Sequence, residues 1–279
     1  SSLGGVGNLC INLKSLGINF DLFSEIGNDK NGNNIIKILK QNRINNKIIK
    51  TKKVTTIKKR FYINNLQIFR QDIENIKINK KVNSKLKKII NKNDIVVLSD
   101  YKKGLINKNL INILNKKKCI TFVDPKNKPY FYKNAFLVKP NMEKFEEWCG
   151  KFSKIKAFNL LKSMKWEWLV ISNNKFGVHV FNKSGEYNFY KVKTCKLPNV
   201  VGAGDIFFSG IIYNYMKNLD IFTSTELASF AASKCIAKEK IRKIESKTSV
   251  TERIKYCKKI IGTNSFIKVK FYEKIIRSN

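Results

Sequence analysis

Val201-Gly202-Ala203-Gly204-Asp205 is followed by the apolar run Ile206-Phe207-Phe208-Ser209-Gly210-Ile211-Ile212. A tight glycine turn therefore opens a buried helix, with one carboxylate in its first turn. The unpaired N–H groups of a helix start point outward and carry the positive end of the helix dipole. They form a cradle for an anion. A carboxylate beside that cradle can take the proton of an attacking hydroxyl while the cradle holds the group under attack. The arrangement suits phosphoryl transfer to an alcohol. At this motif length, a glycine turn that only joins a strand to a helix reads the same way.

The elements that must carry this turn alternate along the chain. Strands are predicted at Phe20 to Ile26, Ile95 to Ser99, Ile120 to Val123, Phe136 to Val138, Trp168 to Ser172 and Gly177 to Phe181. Helices are predicted at Gly7 to Leu16, Gly32 to Gln41, Asn107 to Lys116, Lys144 to Cys149, Ile155 to Ser163, Ile206 to Met216 and Glu226 to Lys238. Nearly continuous apolar strands between helices predict a mostly parallel sheet covered on both faces. Val54 to Asp72 breaks the rhythm. It alternates Thr, Lys, Arg and aromatics around Asn64-Asn65 and predicts a polar hairpin, a lid or surface excursion over about 54–74. No internal repeat or low-complexity linker divides the chain, so 1–279 reads as one domain with a basic tail over about 258–279.

Composition removes several functions. The net charge is +36, but the charge is mostly lysine, interleaved with Asn and Ile throughout. Adenine- and thymine-rich codons account for all three residue types together. No cluster of Arg and aromatics marks a face for nucleic acid, so only weak, salt-sensitive binding is expected. The six cysteines (Cys10, Cys119, Cys149, Cys195, Cys235, Cys257) make no C-x-x-C pair, which predicts reduced thiols without a zinc site or disulfide framework. The single histidine, His179, lies in a predicted strand and reads as structural, which leaves a Ser-His-Asp triad unsupported. No apolar run spans a bilayer and no signal peptide is visible, so a cytoplasmic protein is expected. The chain starts Ser1-Ser2-Leu3 without methionine, and the natural N-terminus is expected to be absent or processed.

Several motifs together resemble the ribokinase-like (PfkB) carbohydrate kinases. Gly4-Gly5-Val6-Gly7-Asn8, with Leu16-Gly17 and Gly27-Asn28-Asp29-Lys30-Asn31-Gly32, is similar to that family's first signature. Val201 to Asp205 is similar to its second, and Lys139-Pro140-Asn141 stands between them at a strand end. A narrower resemblance is to the D-glycero-β-D-manno-heptose 7-phosphate kinases. It rests on Thr55 to Arg60, Gln67 to Glu74, Leu98 to Leu105 and Val123-Asp124-Pro125-Lys126. It covers Gly4 to about Thr251 and would make the chain the kinase module alone, without a nucleotidyltransferase domain.

The resemblance implies a fold, an activity and roles. The fold is α/β and ribokinase-like, with a mostly parallel central sheet, helices on both faces and a small β lid. The activity is ATP- and Mg²⁺-dependent phosphorylation of the anomeric hydroxyl of a heptose 7-phosphate, in supply of ADP-heptose for the lipopolysaccharide core. Asp205 would be the base, and the amides of Ala203, Gly204 and Asp205, in the turn opened by Gly202, would hold the phosphoryl oxygens. Lys139 and Asn141 would face the nucleotide phosphates, with Asn141 and Glu143 touching Mg²⁺ through water. Ser172, Gly177, Lys247 and Thr248 would border the nucleotide. Gly4, Gly5 and Asn8 would line the sugar pocket. Lys58, Arg60, Arg70, Lys103 and Lys126 would hold the sugar phosphate, and Asp100 would also bind the substrate. A homodimer through the lid is expected by analogy.

The chain departs from the family pattern in three places. Asn199 and Val201 stand where an acid and a threonine are usual. Lys144 replaces the acid of Pro-Asn-x-x-Glu, with Glu143 or Glu146 as neighbouring substitutes. The opening strand with its sugar-binding aspartate has no counterpart before Gly4. The rival readings are another sugar or nucleoside kinase of this fold, a non-catalytic relic or binding protein, and a nucleic-acid binder.

Overall fold

The computed structural model describes residues 3–63, 66–73, 86–192 and 202–236. Helix α1 (Val6–Ser15) leads into β1 (Asp21–Gly27), α2 (Lys30–Gln41) and β2 (Asn45–Thr51). A hairpin of β3 (Ile57–Ile63) and β4 (Leu66–Ile73) follows. Then come β5 (Ile95–Ser99), α3 (Lys108–Lys116), β6 (Ile120–Asp124), a 3₁₀ turn (Pro129–Tyr132), β7 (Leu137–Val138), α4 (Met142–Cys149) and α5 (Lys154–Met164). The described chain closes with β8 (Trp168–Asn173), β9 (Gly177–Asn182), β10 (Tyr187–Tyr190), α6 (Ala203–Met216) and α7 (Ile221–Ile236).

The main sheet runs β10-β9-β8-β7-β6-β5. Strands β5 to β8 are parallel, and β9 and β10 extend the edge antiparallel. Alternation along these strands shows why their sequences are largely apolar. Phe122, Leu137, Val170 and Val180 face one core with α1, α6 and α7. Their neighbours Val123, Val138, Leu169, Ile171 and Phe181 face the other, beneath α3, α4 and α5. Both faces are buried, so most positions are hydrophobic, with Thr121 and His179 as polar exceptions inside the strands.

Local sequence starts the helices. Asn107, Asn141 and Ser153 cap α3, α4 and α5, each accepting an N–H from the first turn. Asp29 caps α2 through Gly32 N at 2.8 Å. It also takes Thr55 N at 2.8 Å and Thr55 Oγ1 at 2.7 Å, so one carboxylate ties the start of α2 to the root of the lid. These bonds, that of the Thr55 amide foremost, hold its carboxyl below the ordinary range.

The structure departs from the sequence reading at several elements. Helix α6 begins at Ala203 and α7 at Ile221, both earlier than predicted. Asp220 accepts Thr223 N at 3.0 Å and starts α7. Strands β2 and β10 were not predicted. β2 is rich in Asn and Lys because much of it is exposed, and β10 is only four residues long. The lid hairpin is antiparallel as expected, while its predicted turn at Asn64-Asn65 and the tail at 258–279 lie outside the described residues.

One topological feature positions the site. β1 and β2 form a separate parallel pair. Among the described residues, β1 and β5 each lack a partner on their other edge. Residues of both strands line one cavity of about 1560 Å³, together with the start of α1, the root of the lid and Asp205.

Candidate active site

Gly202 opens α6 at φ 87, in the left-handed region that favours glycine. A Cβ there would also meet Asn8 Nδ2 at 3.0 Å. Glycine is thus required both by the turn and by the close approach of α1. Asn8 uses that approach to donate to Asp205 Oδ2 at 2.6 Å. The two signatures, 197 positions apart in sequence, meet at this hydrogen bond.

Of the three amides expected to hold phosphoryl oxygens, that of Asp205 bonds to Gly202 O at 3.1 Å. The cradle therefore rests on Ala203 and Gly204, whose N–H groups head the helix. Gly204 is exposed, and a Cβ on it would meet nothing within 4 Å. This leaves open space where an anion would approach.

Burial lifts the Asp205 carboxyl above the ordinary carboxylate range. The Asn8 hydrogen bond opposes the shift, Asp124 adds to it, and Lys139 and Lys126 reduce it. Lys139 is 4% exposed at the end of β7. Its ammonium lies 3.2 Å from Asp124 Oδ1 and 5.5 Å from the centre of the Phe208 ring. Asp205 thus sits among Asn8, Asp124, Lys126 and Lys139, at the carboxyl ends of β6 and β7 and the amino end of α6. Ligands bind at this edge of an open α/β sheet.

On the sugar side, Gly5 starts α1 at φ 54, and a Cβ there would meet the Tyr101 ring at 3.3 Å. Gly4 lines the same cavity with open space beside it. The lid reaches over through Lys58, whose ammonium lies 5.3 Å from the Tyr101 ring centre. Lys103 lies near enough to Lys58 for the second charge to depress its pKa, after burial as the larger cause, while Asp72 opposes the shift. Two cations held together over a cavity suit a multiply charged anion.

The other expected site residues fall differently. Arg70 is engaged by Asp72 through both Nε at 3.0 Å and Nη2 at 3.1 Å. The Arg60 side chain, Lys247 and Thr248 lie outside the described residues; the Arg60 backbone pairs opposite Arg70. Ser172, in β8, donates its N–H to Pro140 O at 3.1 Å and bridges to Asn141, so it stands beside a residue expected to face the nucleotide. Gly177 does not open onto a ligand: a Cβ there would strike the Phe189 ring and Tyr190 O at 2.6 Å, and the residue serves the packing of β10. Asp100 is 3% exposed and its oxygens are occupied by Lys102 N, Asn127 Nδ2 and the Tyr132 hydroxyl. It lines the cavity while its carboxylate ties the loops after β5 and β6 together.

Lys139 and the α6 amides suit the nucleotide phosphates expected there. The metal expectation fits less well. Asn141 caps α4 through Lys144 N at 2.9 Å, and Glu143 is exposed. Lys144 pairs with Glu147, and Glu146 takes Phe152 N at 3.1 Å. No three acidic, Cys or His side chains converge on a metal site among the described residues. Only an ion kept in its water shell fits these side chains.

His179 is structural, with Nδ1 3.0 Å from Tyr187 Oη and its ring against Phe152 and Phe189. Sequence reading gave no site role to Asp124 or Tyr101, although both stand in quoted motifs at strand ends. Tyr132 carried no signal. None of the described helices is long and apolar enough to cross a membrane.

A family model for pfkB family carbohydrate kinases matches residues 1–247. The bifunctional protein HldE of Aliarcobacter butzleri is 30% identical over 294 aligned positions, covering 99% of this chain and 60% of that protein. HldE of Campylobacter fetus is 28% identical, covering 96% of this chain and 62% of the relative. The chain therefore spans about three-fifths of the length of these relatives. The fold is similar to that of Escherichia coli phosphofructokinase-2 in complex with fructose-6-phosphate, with a TM-score of 0.73 at 16% identity over 91% of this chain and 88% of the other. It is also similar to a Giardia lamblia ribokinase, with a TM-score of 0.75 at 13% identity over 91% and 89%. The family model spans most of the chain and settles the family: the chain belongs to the pfkB carbohydrate kinases, phosphotransferases that act on a sugar hydroxyl.

Proposed function

We propose that the chain uses ATP to phosphorylate the anomeric hydroxyl of a D-glycero-D-manno-heptose 7-phosphate, giving the 1,7-bisphosphate for ADP-heptose and lipopolysaccharide core synthesis in the cytoplasm. The observation that carries this reading is the arrangement of charge around the cavity. Asp205 and its Asn8 partner stand at the α6 cradle with Lys139, on the side fit for nucleotide phosphate, and Lys126 lies within electrostatic reach of Asp205 from the sugar side. Lys58 and Lys103 line the cavity from the lid side, where a phosphate already on the sugar would be held. Asp205 takes the hydroxyl proton, while the Ala203 and Gly204 amides meet the charge that develops on the transferring group. Mg²⁺, when bound with ATP, neutralises phosphate charge.

A substrate panel tests the reading. Heptose 7-phosphate, fructose 6-phosphate and ribose are offered with Mg²⁺-ATP, and the product is followed by phosphorus NMR. Preference for an unphosphorylated sugar rejects the substrate assignment and favours another kinase of this fold.

Lys144, paired with Glu147 where the family carries an acid, supports a second reading, a non-catalytic relic. Calorimetry with Mg²⁺-ATP separates the two, because a folded chain that binds no nucleotide fits only the relic. The proposal also includes pairing of two copies through the lid. In its support, Phe61 and Phe69 lie in contact at 5.5 Å between ring centres and are 45% and 57% exposed. Phe69→Lys should shift a dimer to monomer by sedimentation; a monomer in the unaltered chain rejects the pairing.

A further inference from the structure

Two loops bring lysines to the site from the ends of adjacent strands. The loop after β5 carries Lys103, and the loop after β6 carries Lys126. Ser99 and Asp124 are in register at the ends of these strands, and Asp100 N donates to Asp124 O at 3.0 Å. Beyond that point the ladder stops, and side chains must set the separation of the loops.

Tyr132 performs this task from the 3₁₀ turn. It is 1% exposed, and its carbonyl accepts Trp166 Nε1 at 2.8 Å, which anchors it in the core beneath α5. Its hydroxyl accepts Lys126 N at 3.1 Å and Asn127 N at 2.9 Å, and donates to Asp100 Oδ2. Asp100 completes the tie. It takes Asn127 Nδ2 at 2.7 Å on the same oxygen and Lys102 N at 2.7 Å on the other. One buried hydroxyl therefore serves three partners, two in the β6 loop and one in the β5 loop. Burial and the adjacent carboxylate raise the Tyr132 pKa well above its ordinary value, so the proton needed for donation stays in place.

We propose that Tyr132 and Asp100 are positioning residues that fix Lys126 and Lys103 relative to Asp205, and so set affinity for the phosphorylated sugar. This rests on the functional reading above. A satisfied buried network can hold such a constellation more rigidly than the two long lysine side chains could hold themselves. The lysines supply the charge, and the tie sets where that charge lies.

The test is Tyr132→Phe, which keeps the ring and removes only the hydroxyl, with Asn127→Ala as a milder second variant. Tyr132→Phe should raise KM for the sugar phosphate about tenfold or more while KM for ATP moves less than about twofold, as expected for a lost substrate contact rather than a damaged fold. Asn127→Ala should move the same constant by a few-fold. Lys126→Ala should cost less in the Tyr132→Phe background than alone, because coupled residues are not additive. Hydrogen exchange at the Lys126 and Asn127 amides should quicken in Tyr132→Phe, and this readout needs no substrate. An equal rise in both KM values with a lowered Tm, or unchanged exchange and unchanged KM, overturns the proposal. If the unaltered protein phosphorylates no sugar phosphate, the functional reading fails; unchanged exchange would then overturn the tie separately.

Discussion

Asp205→Asn separates the catalytic and structural accounts of the α6 turn. The substitution preserves shape, and the amide oxygen can still accept from Asn8, which stands 2.6 Å from Asp205 Oδ2. What is lost is the ability to accept a proton. A positioned base contributes roughly 10²–10⁴ in rate, so kcat should fall by that factor, about 3 to 5 kcal/mol of barrier. Asp124 does not substitute, because it is held by the Lys139 ammonium at 3.2 Å. Stability should move the other way. Burial raises the folded pKa of Asp205, so its contribution to stability is fully present below the ordinary carboxylate value and is lost as pH rises through the raised one. At neutral pH the buried charge is a cost that asparagine removes. Asp205→Asn should therefore keep or raise Tm at pH 7 while losing turnover, the pattern expected where a functional group is kept at the expense of stability. Steady-state kinetics and thermal melts at pH 5 and pH 7 make the comparison. Near-normal kcat refutes the base assignment. A variant that melts well below the unaltered protein at pH 7 refutes the claim that the Asp205 charge is held against its environment.

Other consequences follow from named contacts. Asn8→Ala removes the bond that favours the ionised Asp205, so the acid limb of the kcat profile should move to higher pH; an unmoved limb would separate Asn8 from the base. Lys139→Ala leaves Asp124 without its cation and should cost on the order of 2 to 3 kcal/mol, below the full price of a broken buried pair because Asp124 is 22% exposed. Denaturant titration measures it, with Lys183→Ala, from an exposed pair with Glu167, expected to stay within about 1 kcal/mol. Gly210 lets α6 lie against α7, and a Cβ there would meet Ala228 Cβ at 2.8 Å. Gly210→Val should destabilise by about 1 to 3 kcal/mol through overpacking; an unchanged melt would show that the two helices can part without loss.

Much of this molecule was legible along the chain. Largely apolar runs such as Ile120 to Val123 announced strands covered on both faces, because a strand between two helical layers must be hydrophobic at most positions. The glycine turn at Gly202 announced a helix start, because few other residues accept that conformation. Asn and Ser at the helix starts worked as expected, since capping is a local bond. The sequence could not say what its chemistry-bearing residues would meet. That Asn8 grips Asp205, that Lys139 is committed to Asp124, that Asp100 is sealed beneath a tyrosine hydroxyl, and that Gly177 serves a neighbouring strand are all contacts between distant segments. Strand order and packing bring them about, and no spacing encodes them. Residue types and local periodicity determined the elements and the kind of chemistry. The tertiary structure alone decided which groups are desolvated together, and desolvation sets the charge state and reach of each one.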